Sequence, residues 1–273
     1  ERRLGHEIGI SNSLNSVGNI YSRIEEHEKA RGYYLQALEL FERLGESYGT
    51  AQVLNNLGNT YEKLDQDAVA LDYNRRALAA AETDGTVTAQ TAPLTNLGIL
   101  YKKQGRYEEA LASHRRVAGL QRELGDKAGL ALSLQHSGEV LVLMGRLEEA
   151  ELDLRQSEAI SLDIGSNAIL DTTYLTLADV VERRADYRLA YQLMQRYGEV
   201  RAALLDEEKT RAIAQLEARY EAERRREVIE LLHKDNDLLR KEGEIRRLEL
   251  SRARLTAVLL AIARGIKRFS ANT

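Results

Sequence analysis

One column of residues constrains what this chain can fold into. Gly18, Gly58, Gly98 and Gly138 lie forty residues apart, and Ala178 takes the fifth place. Four residues before each stands Leu14, Leu54, Leu94, Leu134 or Tyr174, and three after stands Tyr21, Tyr61, Tyr101, Leu141 or Val181. Twelve residues beyond each comes Ala30, Ala70, Ala110, Ala150 or Ala190, and a further glycine recurs at Gly5, Gly45, Gly85, Gly125 and Gly165. Coincident columns at one period are the mark of a repeat architecture.

The columns have a physical reading. Spacings of four and three put the Leu, Gly and Tyr positions on one helical face. Glycine there lets a second helix approach closely, and alanine in that second helix does the same from the other side. The segments Gln104–Ala110 and Met144–Ala150 read as turns between paired helices, with glycine as the C-terminal cap. One such hairpin cannot bury its apolar face alone, whereas stacked hairpins bury a continuous core. A single proline, Pro93, agrees with an all-α chain, because proline removes a backbone donor inside a helix.

The run Leu54-Asn-Asn-Leu-Gly-Asn-Thr-Tyr61, followed by Ala70 and Ala77, resembles the tetratricopeptide repeat. That motif is usually about 34 residues long. The forty-residue form is similar to the repeats of the Leu-Gly-Asn family of cell-polarity scaffolds and of many bacterial signalling proteins. The resemblance covers about residues 11–204, five repeats, and residues 1–10 match the end of a preceding one. The Trp often seen in the first helix is replaced by Leu or Tyr, which changes packing only. The implied fold is a right-handed superhelical solenoid of helical hairpins followed by a long C-terminal helix. The array stops after residue 204, because the next frame would bury Glu217, Glu221 and Glu230 at apolar columns.

In repeats of this kind the first helices line a concave groove that holds a protein or peptide ligand. The resemblance implies that Asn15, Asn19, Asn55, Asn56, Asn59, Thr95 and Asn96 point into it, followed by Gln135, His136, Glu139, Thr176 and Asp179. Asparagine is a mediocre helix former. Its amide offers both a donor and an acceptor, so it can bond the backbone of an extended peptide. Lys63, Lys102 and Lys103 border the groove and would favour an acidic ligand. Solvated surface is the competing reading of the asparagines. Leu132, Val142 and Leu143 of the fourth repeat read either as an apolar pocket or as core.

Residues 205–263 read as a long connector helix. One heptad register places Ile213, Tyr220, Leu231, Leu238, Ile245, Leu248, Leu255, Leu259 and Ile262 at nine of its fifteen a and d positions. The apolar seam strengthens at Ile245, Leu248, Leu255, Leu259 and Ile262, where a homodimer is expected; a helix folding back on the array is the alternative. The run from Asp206 to Leu232 resembles the connector that follows tetratricopeptide sensor regions in bacterial histidine kinases, diguanylate cyclases and nucleotide cyclases. Residues 264–273 form a basic tail, and its ending, Lys267-Arg-Phe-Ser-Ala-Asn-Thr273, resembles the approach to an output domain of those families.

No enzyme chemistry is expected. His6, His27, His114, His136 and His233 do not pair at metal-ligand spacing. No phosphate loop, nucleophile elbow or kinase signature is present, so no cofactor or metal is expected. The absence of cysteine excludes disulfides, Fe–S clusters and thiolate zinc sites. The arginines after residue 223 alternate with glutamates and lack aromatic platforms, which argues against nucleic acid. The apolar run from Leu255 to Ala263 is far short of the roughly 20 residues of a membrane span. The N-terminal Glu-Arg-Arg-Leu-Gly has no apolar leader, and the expected compartment is the cytoplasm. Two function classes follow: the regulatory half of a signalling protein, or a stand-alone interaction scaffold.

Overall fold

A computed structural model describes the backbone of residues 2–270, and the side chains of residues 6–236, 240–242, 244, 246–248 and 250–252. Among these are ten helices and no strand. They are α1 (Arg2–Arg23), α2 (His27–Leu44), α3 (Ser47–Lys63), α4 (Asp67–Asp84), α5 (Val87–Lys103), α6 (Tyr107–Leu124), α7 (Lys127–Leu143), α8 (Leu147–Asp163), α9 (Asn167–Arg183) and α10 (Tyr187–Ser270). From α1 to α9 each helix packs against the next, and α1 also touches α3, α3 touches α5 and α7 touches α9. The result is a solenoid of tetratricopeptide-type hairpins. It forms one compact unit, Glu1–Leu205; Asp206–Thr273 is a second.

The sequence repeats every forty residues, but the backbone repeats every twenty. Glu25, Gly45, Asp65, Gly85, Gly105, Gly125, Gly145, Gly165 and Ala185 all adopt the left-handed conformation, with φ between 56° and 77°. In eight of these nine turns the next amide donates to the carbonyl five residues back, as in Gln66 to Tyr61 and Asp186 to Val181, both 2.9 Å. This is the Schellman closure, which satisfies the last carbonyls of each helix. Glycine relieves the strain at six sites, whereas Glu25, Asp65 and Ala185 bear it.

The glycine column sits at the contact between paired helices. A Cβ at Gly98 would lie 2.5 Å from Cε1 of His114, and one at Gly138 would lie 2.5 Å from Cγ of Leu154. Gly18 and Gly58 meet Tyr34 and Asn74 in the same way. Each glycine therefore faces the residue sixteen positions later in the second helix. The alanine column is buried beside it at Ala30, Ala70, Ala110, Ala150 and Ala190. Together with Leu57, Leu97, Leu141 and Leu177 it carries the core along the array.

Three features depart from the sequence expectation. Gly5 lies within α1 instead of a turn. The fifth second helix and the connector are one helix, α10, which continues to Ser270 through the basic tail. Nothing in that stretch breaks it, because no proline follows Pro93. Finally, α1 leaves bare the face that later first helices bury. Ile20 is 59% exposed, whereas Thr60, Leu100, Val140 and Val180 in the same column are 0 to 2% exposed.

In the second unit every described side chain from Asp206 to Arg252 is exposed, including Ile213, Tyr220, Leu231 and Leu248. The side chains of Leu238, Ile245, Leu255, Leu259 and Ile262, named for the seam, lie outside the described residues.

Candidate functional site

The asparagines of the first three repeats form ladders that run from one repeat to the next. The Nδ2 group of Asn56 donates to Oδ1 of Asn15 at 3.0 Å and to Oδ1 of Asn19 at 3.2 Å. Asn19 Oδ1 also accepts from the Tyr34 hydroxyl at 2.7 Å. One repeat further, Asn96 Nδ2 lies 2.9 Å from Oδ1 of Asn55, 2.6 Å from that of Asn59 and 3.2 Å from that of Asn74. Two amide hydrogens thus serve three acceptors. Asn74 is buried opposite Gly58 and is itself held by the Ala70 carbonyl at 2.9 Å.

Each ladder uses one end of most amides and leaves the other. The NH2 groups of Asn15, Asn19, Asn55 and Asn59 donate to no described residue, and Oδ1 of Asn56 and Asn96 accepts from none. All six side chains are half-buried or exposed. The unused groups are therefore held in place by the bonds of their other ends.

The lysines are placed differently from the expectation of an acid-seeking rim. Lys102 Nζ pairs with Glu139 Oε2 at 2.5 Å, and Lys103 Nζ with Asp67 Oδ2 at 2.8 Å. Lys63 is exposed. Two of the three positive charges are thus neutralised by the protein itself. Burial alone would raise the pKa of Glu139, but the His136 ring and the Lys102 ammonium outweigh it and hold the carboxyl at about 2. Gln135, expected in the groove, is buried and donates to Glu139.

The structure also brings together two histidines that sequence spacing had kept apart. The rings of His114 and His136 stack at 5.1 Å between centroids, 22° from parallel. His114 is fully buried, and neither ring nitrogen has a hydrogen-bond partner. Burial, aided by His136 and the Lys102 charge, pushes its pKa down to about 3. The ring is therefore neutral near neutral pH. Stacked rings present faces and not lone pairs to each other, and among the described residues no group of three or more His, Asp or Glu side chains could hold a metal ion. Asn74 and His114 are both buried at the contact between paired helices, and each stands sixteen residues after a column glycine, the position in the sequence that marks them.

Repeats three to five set aliphatic side chains among the charged ones. Between α5, α7 and α9 opens a cleft of about 560 Å³, walled by Ile99, Val142 and Leu143 and rimmed by charged residues. Leu132, Leu143 and Leu175 are 39%, 52% and 47% exposed, whereas Val142 belongs to the core. Among the described residues no helix is long and apolar enough to cross a membrane.

Comparison with known proteins agrees with this geometry. The tetratricopeptide repeat profile matches residues 9–83 and 90–163. Among solved structures, BtubC (BKLC) from P. vanneervenii superposes with a TM-score of 0.67 at 17% identity, over 74% of this chain and 86% of that one. A putative kinesin light chain of Podospora anserina with nearly identical TPR-like repeats gives 0.62 at 15% identity, over 74% and 98%. A Rap protein complexed with Competence and Sporulation Factor gives 0.59 at 16% identity, over 71% and 54%. No curated protein matches the sequence. Such identities speak for the fold alone, but the profile match spans more than half of the residues on the frame the glycines mark, and the chain belongs to the tetratricopeptide repeat family, a fold of protein–protein interaction.

Proposed function

We propose that the concave face of this array holds an extended segment of a partner protein, gripped through its backbone by the amides of Asn15, Asn19, Asn55, Asn56, Asn59 and Asn96. The observation that carries this reading is the half-used ladder: four NH2 donors and two carbonyl acceptors, fixed by their neighbours and without partners of their own. A peptide backbone presents donors and acceptors alternately along its length, which suits such a row whatever its side chains are. Pre-oriented groups also lose less entropy on binding than free rotors. The module belongs, on this reading, to a bacterial signal-transduction protein, with α10 joining the groove to an output domain and pairing with a second copy. The connector-like run from Asp206 to Leu232 supports that assignment.

The test exploits the asymmetry of the amides. Asn55→Asp with Asn59→Asp keeps the oxygens that accept from Asn96, replaces the outward donors by acceptors and adds two negative charges. A peptide selected on the whole chain is expected to bind the double variant by calorimetry roughly tenfold or more weakly, about 1–3 kcal/mol for hydrogen bonds lost at a desolvated site. The melting temperature is expected to stay within a few degrees of the parent's. Equal affinity for the two proteins refutes the amide grip.

A further inference from the structure

The groove changes chemistry along its length, and we infer that its second half, over repeats three to five, binds an uncharged stretch of the partner through a large apolar side chain seated against Ile99, Val142 and Leu143. This rests on the groove reading above and specifies the ligand for it.

The repeat frame itself makes the argument, because equivalent positions can be compared. The place of Leu143 is taken by Arg23, Lys63 and Lys103 in the first three repeats. The place of Leu175 is taken by Asn15, Asn55 and Thr95, and that of Leu132 by Asn12, Gln52 and Ala92. The backbone is the same at each place, and the core does not ask for leucine there, since all three leucines are more than a third exposed. Leu132 and Leu143 also share one face of α7 with His136 and Glu139, at helical spacings of three and four. Single exposed leucines are ordinary, but Leu143 stands beside Ile99 in one cleft, and Leu132 lies on the same face of its helix.

The charges around the cleft decide the polarity of what enters. Lys102 is paired with Glu139 at 2.5 Å, Lys103 with Asp67 at 2.8 Å, and Arg183 with Asp179 at 2.9 Å. These pairings leave the rim little net charge to attract a charged ligand, and a charged group seated beside the partly buried Lys102–Glu139 pair would lose water without meeting an unpaired counter-charge. An apolar side chain has no such cost and covers aliphatic surface that water now wets. The cleft, at about 560 Å³, has room for a large apolar side chain together with its flanking backbone. The partner is thus an extended segment recognised by its backbone at one end and by an apolar anchor at the other.

The experiment is to pan a displayed library of random twelve-residue peptides on the whole chain and measure the selected peptides by calorimetry. Enrichment of Leu, Ile, Met or Phe at one fixed position is expected, with a tenfold or greater loss when that residue becomes Ala. Leu143→Asp and Leu143→Lys are each expected to weaken binding at least tenfold without lowering the melting temperature, because Leu143 is half exposed. Enrichment of acidic residues, or tighter binding to Leu143→Lys, overturns the inference in favour of an acidic ligand. A peptide weakened by the Asn55 and Asn59 changes but indifferent to Leu143 overturns it while leaving the amide grip standing. Peptides indifferent to both sets, or no enrichment at all, overturn both.

Discussion

Acid should weaken this fold through one residue. His114 is buried with neither ring nitrogen bonded, and its pKa in the folded chain is about 3. In the unfolded chain it returns to about 6.5. Above the unfolded value neither state binds the proton, and the group is neutral towards stability. Below it only the unfolded chain takes the proton, so stability falls as pH falls, until the folded pKa is reached. The slope is about 1.4 kcal/mol per pH unit for one proton. From about pH 7.5 to about pH 5, roughly 1.5 units of the fall lie below the unfolded pKa, so His114 removes about 2 kcal/mol of stability. The perturbation that isolates this is His114→Leu. Leucine fits the column, because Leu154 occupies the equivalent place against Gly138 in the next repeat and is fully buried. Urea unfolding at the two pH values should show the parent losing about 2 kcal/mol more than the variant, since His136, Lys102 and Glu139 are common to both and largely cancel. At the higher pH the variant should be at least as stable, having shed a buried donor without a partner. An equal loss in the two proteins would falsify the account of His114.

Two further outcomes follow from the turns and from the connector. Ala185 holds φ at +64° where the turns at Gly105 and Gly145 have glycine, so Ala185→Gly should stabilise the array by about 0.5–1 kcal/mol in urea unfolding, and unchanged or lower stability refutes the strain. Replacing Ile245, Leu248 and Leu255 by Asp should convert a dimer to a monomer in sedimentation equilibrium, because each puts a charge at an a or d position; an unmodified chain that is monomeric at high micromolar concentration refutes the seam.

The sequence by itself determined the period, the helical class and the faces. Leu54, Gly58 and Tyr61 at spacings of four and three could share a face only on a helix. The glycines at 45, 85, 125 and 165 marked turns, because the left-handed conformation penalises every residue with a Cβ. The same rule explains why the turns at Glu25, Asp65 and Ala185 were harder to read: there the tertiary fold overrides the local preference, at a cost no periodicity displays.

What only the tertiary structure decided is which side chains meet. Asn56 reaches Asn15, Lys102 reaches Glu139 and Lys103 reaches Asp67 across 41, 37 and 36 residues of chain. His114 meets His136 although they belong to different helices of neighbouring repeats. The lysines read as free charges because a helical wheel shows the face a residue occupies and not the neighbour it finds there. Each such bond gains only about 1 kcal/mol net over water. Partners are therefore chosen by the register of helix against helix, which the packing of the buried Leu and Ala columns sets, and the polar groups of the groove take whatever partners that register leaves within reach.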